Sequence, residues 1–161
     1  MFGIVSAEDF RAKAARDCDK LLRDIANPDL AMNAILSNYH LHEWVWSLEL
    51  KARKPALIDG AVLRAAKDWV GWLDHHCPNF KVLQALATGT KHCVPTMFGT
   101  GQVEGYGAGP YGIGPFGKPY LLIDLGDDLP GDVRWLVGSE VLKEVSAFWA
   151  EFFAKHLLGS H

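Results

Sequence analysis

PDLAMNAILSNYHLHEWVWSLEL, residues 28–50, contains no lysine or arginine, and its only acids are Asp29, Glu43 and Glu49. Apolar side chains fall on nearly every side of a helical wheel. A helix of that kind is usually central in a bundle, with several neighbours touching it at once. Its middle nevertheless carries Asn38, His40, His42 and Glu43. Buried polar groups cost free energy unless they find partners. The fold and the candidate chemistry both turn on what those partners are.

The flanking sequence supplies the neighbours. Ser6 to Asp9 has the look of a capping box, and Phe10, Ala14, Cys18, Leu21, Leu22 and Ile25 follow at helical spacing. Asn27-Pro28 closes that helix and opens the central one, so short a link that the two must be antiparallel. Ile58, Val62, Ala65, Trp69, Trp72 and His76 form a stripe that predicts a third helix capped by Asp59, with His76 in the core. Cys77-Pro78 interrupts it. A short fourth helix is predicted from about Asn79 to Thr88, ended by Gly89.

The texture then changes. Eight glycines lie between Gly99 and Gly117, and Gly-Ala-Gly-Pro-Tyr (107–111) repeats as Gly-Ile-Gly-Pro-Phe (112–116). Tyr120 to Ile123 reads as a strand, as does Val133 to Val137, and Ser139 reads as the cap of a last helix. The expected fold is mainly α. It is a four- or five-helix bundle with a small antiparallel β-hairpin or three-stranded sheet, and a glycine-rich loop before the last helix. Residues 1–158 read as one helical domain. Gly159-Ser160-His161 has the composition of a tag remnant and is given no weight.

With 161 residues, 49% of them hydrophobic and 22% charged, the chain is long enough for a sizeable core. The net charge of -3 leaves no footprint for bulk nucleic-acid binding. The three cysteines form no Cys-x-x-Cys pair, which fits reduced thiols. No basic segment followed by an apolar run opens the sequence, so a cytoplasmic protein with no membrane partner is expected.

Two Gly-x-Gly-x-x-Gly matches, at 107–112 and 112–117, lack the strand before and helix after that a dinucleotide loop needs. Pro110 and Pro115 also remove donors. The better reading is a loop that presents Tyr106, Tyr111 and Phe116 to its own helices or to a partner, with few strand hydrogen bonds in Gly99 to Gly117. Asp74-His75-His76-Cys77 spells the signature of membrane palmitoyltransferases, but the membrane spans and cysteine-rich zinc domain of those enzymes are missing from this sequence. His40 and Glu43 share a helix face, and Thr90-Lys91-His92 forms a second polar cluster. The expectation is that His40, Glu43, Lys91 and His92 converge on the floor of a pocket roofed by the glycine-rich loop. No second ligand pair at metal spacing accompanies them, so no metal or other cofactor is called for.

Several of these segments resemble a family of uncharacterised bacterial proteins. They are Tyr39-His40-Leu41-His42-Glu43-Trp44-Val45, Leu86 through Gly89-Thr90-Lys91-His92, and Gly105 through Asp124. The family carries a His-Leu-x-acid-Trp helix and a Gly-Ser/Thr-Lys-His turn in that order. Its helical layout is similar, at fold level, to the HEPN domains of bacterial toxins and phage-defence systems. HEPN ribonucleases carry an arginine and then, after four to six intervening residues, a histidine. None of Arg11, Arg16, Arg23, Arg53, Arg64 and Arg134 has one there. The resemblance therefore implies a non-catalytic binding or regulatory module, associated with phage defence or mobile elements. Its partners would be a second copy, a small anion or RNA. The alternative is an enzyme, an RNA-acting nuclease or metal-dependent hydrolase, using His40, Glu43 and His92.

Overall fold

The structure is a computed structural model and describes residues 2–53, 55–92, 99–105, 108–126 and 133–157, the side chains of residues 90–92 excepted. Among these residues the fold is mainly α, with five α-helices and two small antiparallel sheets. No described helix is long and apolar enough to cross a membrane.

Helix α1 (Ala7–Arg23) starts on a reciprocal cap. Ser6 Oγ accepts from the Asp9 amide and Asp9 Oδ2 accepts from the Ser6 amide, both at 3.0 Å. Its buried stripe is Ala7, Ala14, Cys18 and Leu21, while Leu22, one position round the wheel, is 41% exposed rather than in the core. Asn27 caps α2 (Pro28–Val45) by accepting from the amides of Asp29 and Leu30. Helix α2 packs on α1, α4 (Phe80–His92) and α5 (Gly138–His156). It leaves Met32, Asn33 and Glu43 exposed on its remaining side.

Two tryptophans grip α2 from other helices. Trp149 of α5 donates its indole N–H to the Asn38 carbonyl at 3.1 Å, and Trp69 donates to the His42 carbonyl at 3.0 Å. The Asn38 amide in turn donates to Ala34 O at 2.9 Å and to Ala14 O of α1 at 3.4 Å. The buried polar side chains of the central helix are thus satisfied mainly by its own backbone carbonyls, and Asn38 also by that of Ala14, while the indoles serve the Asn38 and His42 carbonyls. After His42 the Trp46 amide is shared between the Glu43 and His42 carbonyls, and the chain widens into a π turn, Trp46–Leu50. A side-chain donor inserted on the helical ladder is a known cause of such distortion.

The third helix begins later than its apolar stripe predicts. Residues 56–63 form a hairpin of β1 (Ala56–Ile58) and β2 (Ala61–Leu63), and α3 runs only from Ala66 to His76. Asp59 and Gly60 both have positive φ, 47° and 81°, the two-residue turn that Asp-Gly favours. Asp59 therefore caps no helix; it pairs with Lys155 at 2.7 Å and with His156 at 3.4 Å. Val62 sits opposite Leu57 on the hairpin's outer face and is 43% exposed. His76 is exposed as well, stacked on Trp72 at 4.2 Å rather than enclosed in the core.

Helix α4 runs through Gly89 to His92, so Thr90-Lys91-His92 is its last turn and not a loop. Glycine weakens a helix by about 1 kcal/mol without forbidding it. Strands β3 (Gly99–Val103), β4 (Tyr120–Asp124) and β5 (Trp135–Val137) form an antiparallel sheet in that order. The first five residues of the glycine-rich excursion are therefore a strand, paired with β4 from Gly99↔Asp124 to Val103↔Tyr120. Helix α5 follows β5 directly, with Val137 at its cap position. Ser139 is buried inside the first turn, two positions past the cap it was expected to provide.

Tyr120 holds the loop between β3 and β4. Its ring is 3% exposed and its hydroxyl donates to Ile113 O at 2.8 Å. Gly109 and Gly114 lie against the ring where a Cβ would collide with it. Tyr111 and Phe116, expected to pack on this chain's helices or on a partner, are 105% and 83% exposed, so they do not pack on the described helices.

Candidate functional site

His40 and Glu43 do pair, as two groups three apart on a helix must when nothing else competes. His40 Nδ1 donates to Glu43 Oε2 at 3.1 Å. The pair stands at the surface, with side-chain exposures of 35% and 60%. Exposed pairs of this sort contribute at most about 1 kcal/mol. A shallow depression beside it is lined by Glu43, Trp44, Ser47 and Leu48.

The side chains of Lys91 and His92, like Tyr106, lie outside the described residues. The helix directions nevertheless bear on the expected convergence. Phe80, at the start of α4, stands 5.9 Å from Tyr39 and 5.6 Å from His42. Val82 and Leu86 pack further back, against Ile35. Helix α4 is therefore antiparallel to α2. At about 1.5 Å per residue its last turn continues toward the Pro28 end, away from His40.

His42, which the sequence reading passed over in favour of His40, is the buried histidine. It is 7% exposed and its ring packs on Tyr39 at 4.7 Å and on Phe80. Nδ1 donates to the Tyr39 carbonyl at 2.5 Å. Burial pushes its pKa below the ordinary value of 6.5. An imidazole that is less basic when folded takes up a proton on unfolding. Its stability contribution is therefore complete above about pH 6.5 and is lost as the pH falls through 6.5 toward the folded value. Urea midpoints should drop between pH 7.5 and pH 5 in the parent protein. In His42→Gln that part of the slope should flatten; an unchanged slope would assign it to other groups.

The remaining titratable groups offer little chemistry. Burial pushes the Cys77 thiol up to about 12 and also raises that of Cys18, so neither is a poised nucleophile. Among the described residues no group of three or more His, Cys, Asp or Glu could hold a metal ion.

The enclosed space lies elsewhere. A cavity of about 330 Å³ opens between the first half of α2, α4, the start of α5 and the sheet. Ala31, Met32 and Ile35 form its α2 wall, with Leu86 from α4 and Val141 and Leu142 from α5. Strand residues 100–102 and 121–123 close the other side. Among the described residues none of the lining side chains is charged, and Thr100 and Gln102 are the polar ones. Its volume lies at the lower end of the range for small-ligand clefts. A weak sequence signal for it existed: Ala31, Met32 and Ile35 lie at helical spacing on the apolar helix.

No family model, curated protein or solved structure matches the chain. The resemblance to the bacterial family and to HEPN domains therefore rests on the quoted segments alone. The chemistry of the site has to be read from its own geometry.

Proposed function

We propose that this protein is a binding module whose site is the apolar cavity between α2, α4, α5 and the three-stranded sheet. It takes an uncharged, mainly apolar group. The observation that carries the reading is a partly enclosed cavity of about 330 Å³ whose lining, among the described residues, carries no charge. A charged ligand would lose its hydration there with no compensating partner in the lining. An apolar one gains about 25 cal/mol for each Å² it removes from water. The small anion and RNA expected from the sequence suit this lining poorly. The enzyme alternative, using His40, Glu43 and His92, would need a site assembled beyond the exposed His40–Glu43 pair. A regulatory role in phage defence or on a mobile element is compatible with such a module and is carried by the HEPN resemblance.

The test is titration with N-phenyl-1-naphthylamine, an uncharged apolar fluorophore. Saturable binding is expected. Ala31→Phe, which fills the cavity, and Met32→Trp, at its exposed rim, should each weaken binding at least tenfold, or about 1.4 kcal/mol. Circular dichroism checks that each variant folds. Absence of saturable binding, or parental affinity in both folded variants, would overturn the proposal.

A further inference from the structure

Strand β3 forms one wall of this cavity and also the edge of its sheet. It pairs with β4 on one side, and no other described strand flanks it. Gly99, Thr100, Gly101 and Gln102 are exposed. Edge strands usually carry a guard against unwanted pairing, such as a lysine, a proline or a bulge. Gly99-Thr100-Gly101-Gln102-Val103 has no charge and no proline, and its register with β4 is unbroken. Nothing described lies within 4 Å of the Cβ position of Gly101, so the sheet face at the middle of the strand is open as well. In an antiparallel edge every second residue turns both its N–H and its C=O outward, and these groups require water or another chain. The other edge is different in kind: β5 is three residues long, follows the Asp124–Arg134 ion pair and runs straight into α5.

We infer that the β3 edge accepts an extended, uncharged peptide segment by strand addition, with one of its apolar side chains seated in the cavity. The inference deepens the binding-module reading and rests on it. Strand addition supplies affinity through main-chain hydrogen bonds and specificity through pockets for alternate side chains. Both parts are present here. Among the described residues the outer side of β3 has no strand partner, and Thr100, Gly101 and Gln102 border the cavity along the same stretch. Charge complementarity settles the chemistry of the segment. Among the described residues neither the strand nor the cavity lining offers a countercharge, so a charged side chain directed inward would be desolvated without return. The cavity has room for one large apolar side chain or two small ones.

The probe is a dye-labelled, end-capped peptide, Thr-Val-Thr-Leu-Thr-Val, followed by fluorescence anisotropy on the full chain. It should bind and displace the naphthylamine. N-methylation of alternate amides in one phase should weaken it at least tenfold, while the opposite phase has little effect, because only one set faces β3. Gln102→Lys, which guards the edge, should weaken the peptide by a similar factor in a protein whose circular dichroism is unchanged. If the naphthylamine binds but the peptide does not, strand addition is overturned and the cavity reading stands. If neither binds, both fall. Equal effects of the two methylation phases would also overturn it, since side-chain burial alone would then explain the affinity. So would a dimer in sedimentation that Gln102→Lys dissociates, since a second copy would then occupy the edge.

Discussion

Trp149→Ala is expected to lower stability by about 3–5 kcal/mol, the usual cost of emptying a large aromatic site in a core. Trp149 is 1% exposed and touches Trp69, Phe148 and Phe152 with ring centroids 5.3–6.3 Å away. It is also the donor that ties α5 to the Asn38 carbonyl of α2. Trp149→Phe separates these two roles. It keeps most of the ring and removes the N–H, and should cost about 1 kcal/mol for the bond plus a smaller packing loss. Urea unfolding of the two variants measures the difference. If alanine and phenylalanine cost the same, the hydrogen bond dominates and the packing account is wrong. If alanine costs under about 1 kcal/mol, α5 is not the clamp on α2 that its position suggests.

The second large effect is expected in the glycine-rich loop. Gly112 and Gly114 have nearly the same backbone, φ of 77° and 79°, but different surroundings. A Cβ on Gly112 meets open space, whereas one on Gly114 would lie 2.5 Å from the Tyr120 ring. Gly112→Ala carries only the strain of a positive φ, about 1 kcal/mol. Gly114→Ala adds the collision with a ring that is buried and held by its bond to Ile113 O, for a total of about 2–4 kcal/mol. The loop can relieve this by leaving the sheet. Limited proteolysis should therefore cut within residues 108–117 of Gly114→Ala far sooner than in Gly112→Ala. Matching digestion rates would show that Tyr120 does not hold the loop.

The contrast between these glycines also shows where sequence reading stops. The glycine repeat made a sharply turning excursion legible, and the aromatics at 111 and 116 were its visible candidates for anchors. The anchor is Tyr120, because the loop folds back over the first residue of the strand that follows it. Nothing local to the repeat encodes that return. Strand β3 was missed for a similar reason: glycine and glutamine have little preference for strands, and β3 is extended because β4 lies beside it. The hairpin at 56–63 is a different kind of miss. Its signal, Asp59-Gly60 between apolar residues, stood in the sequence. Ile58 and Val62, four apart, fit one face of a helix, yet in the hairpin they sit on opposite faces, Ile58 across from Ala61 and Val62 across from Leu57. The stripe could not separate the two, and the turn chemistry would have.

What the sequence determined by itself is whatever depends on neighbours in the chain. The Ser6–Asp9 cap, the Asn27-Pro28 junction, the apolar central helix and the mainly α architecture each follow from propensity, capping or periodicity over a few residues. The tertiary structure alone decided which polar groups are buried and which meet. His40 and His42 are two positions apart on the same helix, roughly 200° around its axis at 3.6 residues per turn. Only the placement of Phe80 turns His42 inward and leaves His40 half-exposed. The side chains of Lys91 and His92, expected to join that pair, lie outside the described residues. The cavity exists because three helices and a sheet, distant in sequence, leave space between apolar faces that do not fully interlock. Such a gap is set by the relative placement of whole elements, which no local pattern of residues specifies.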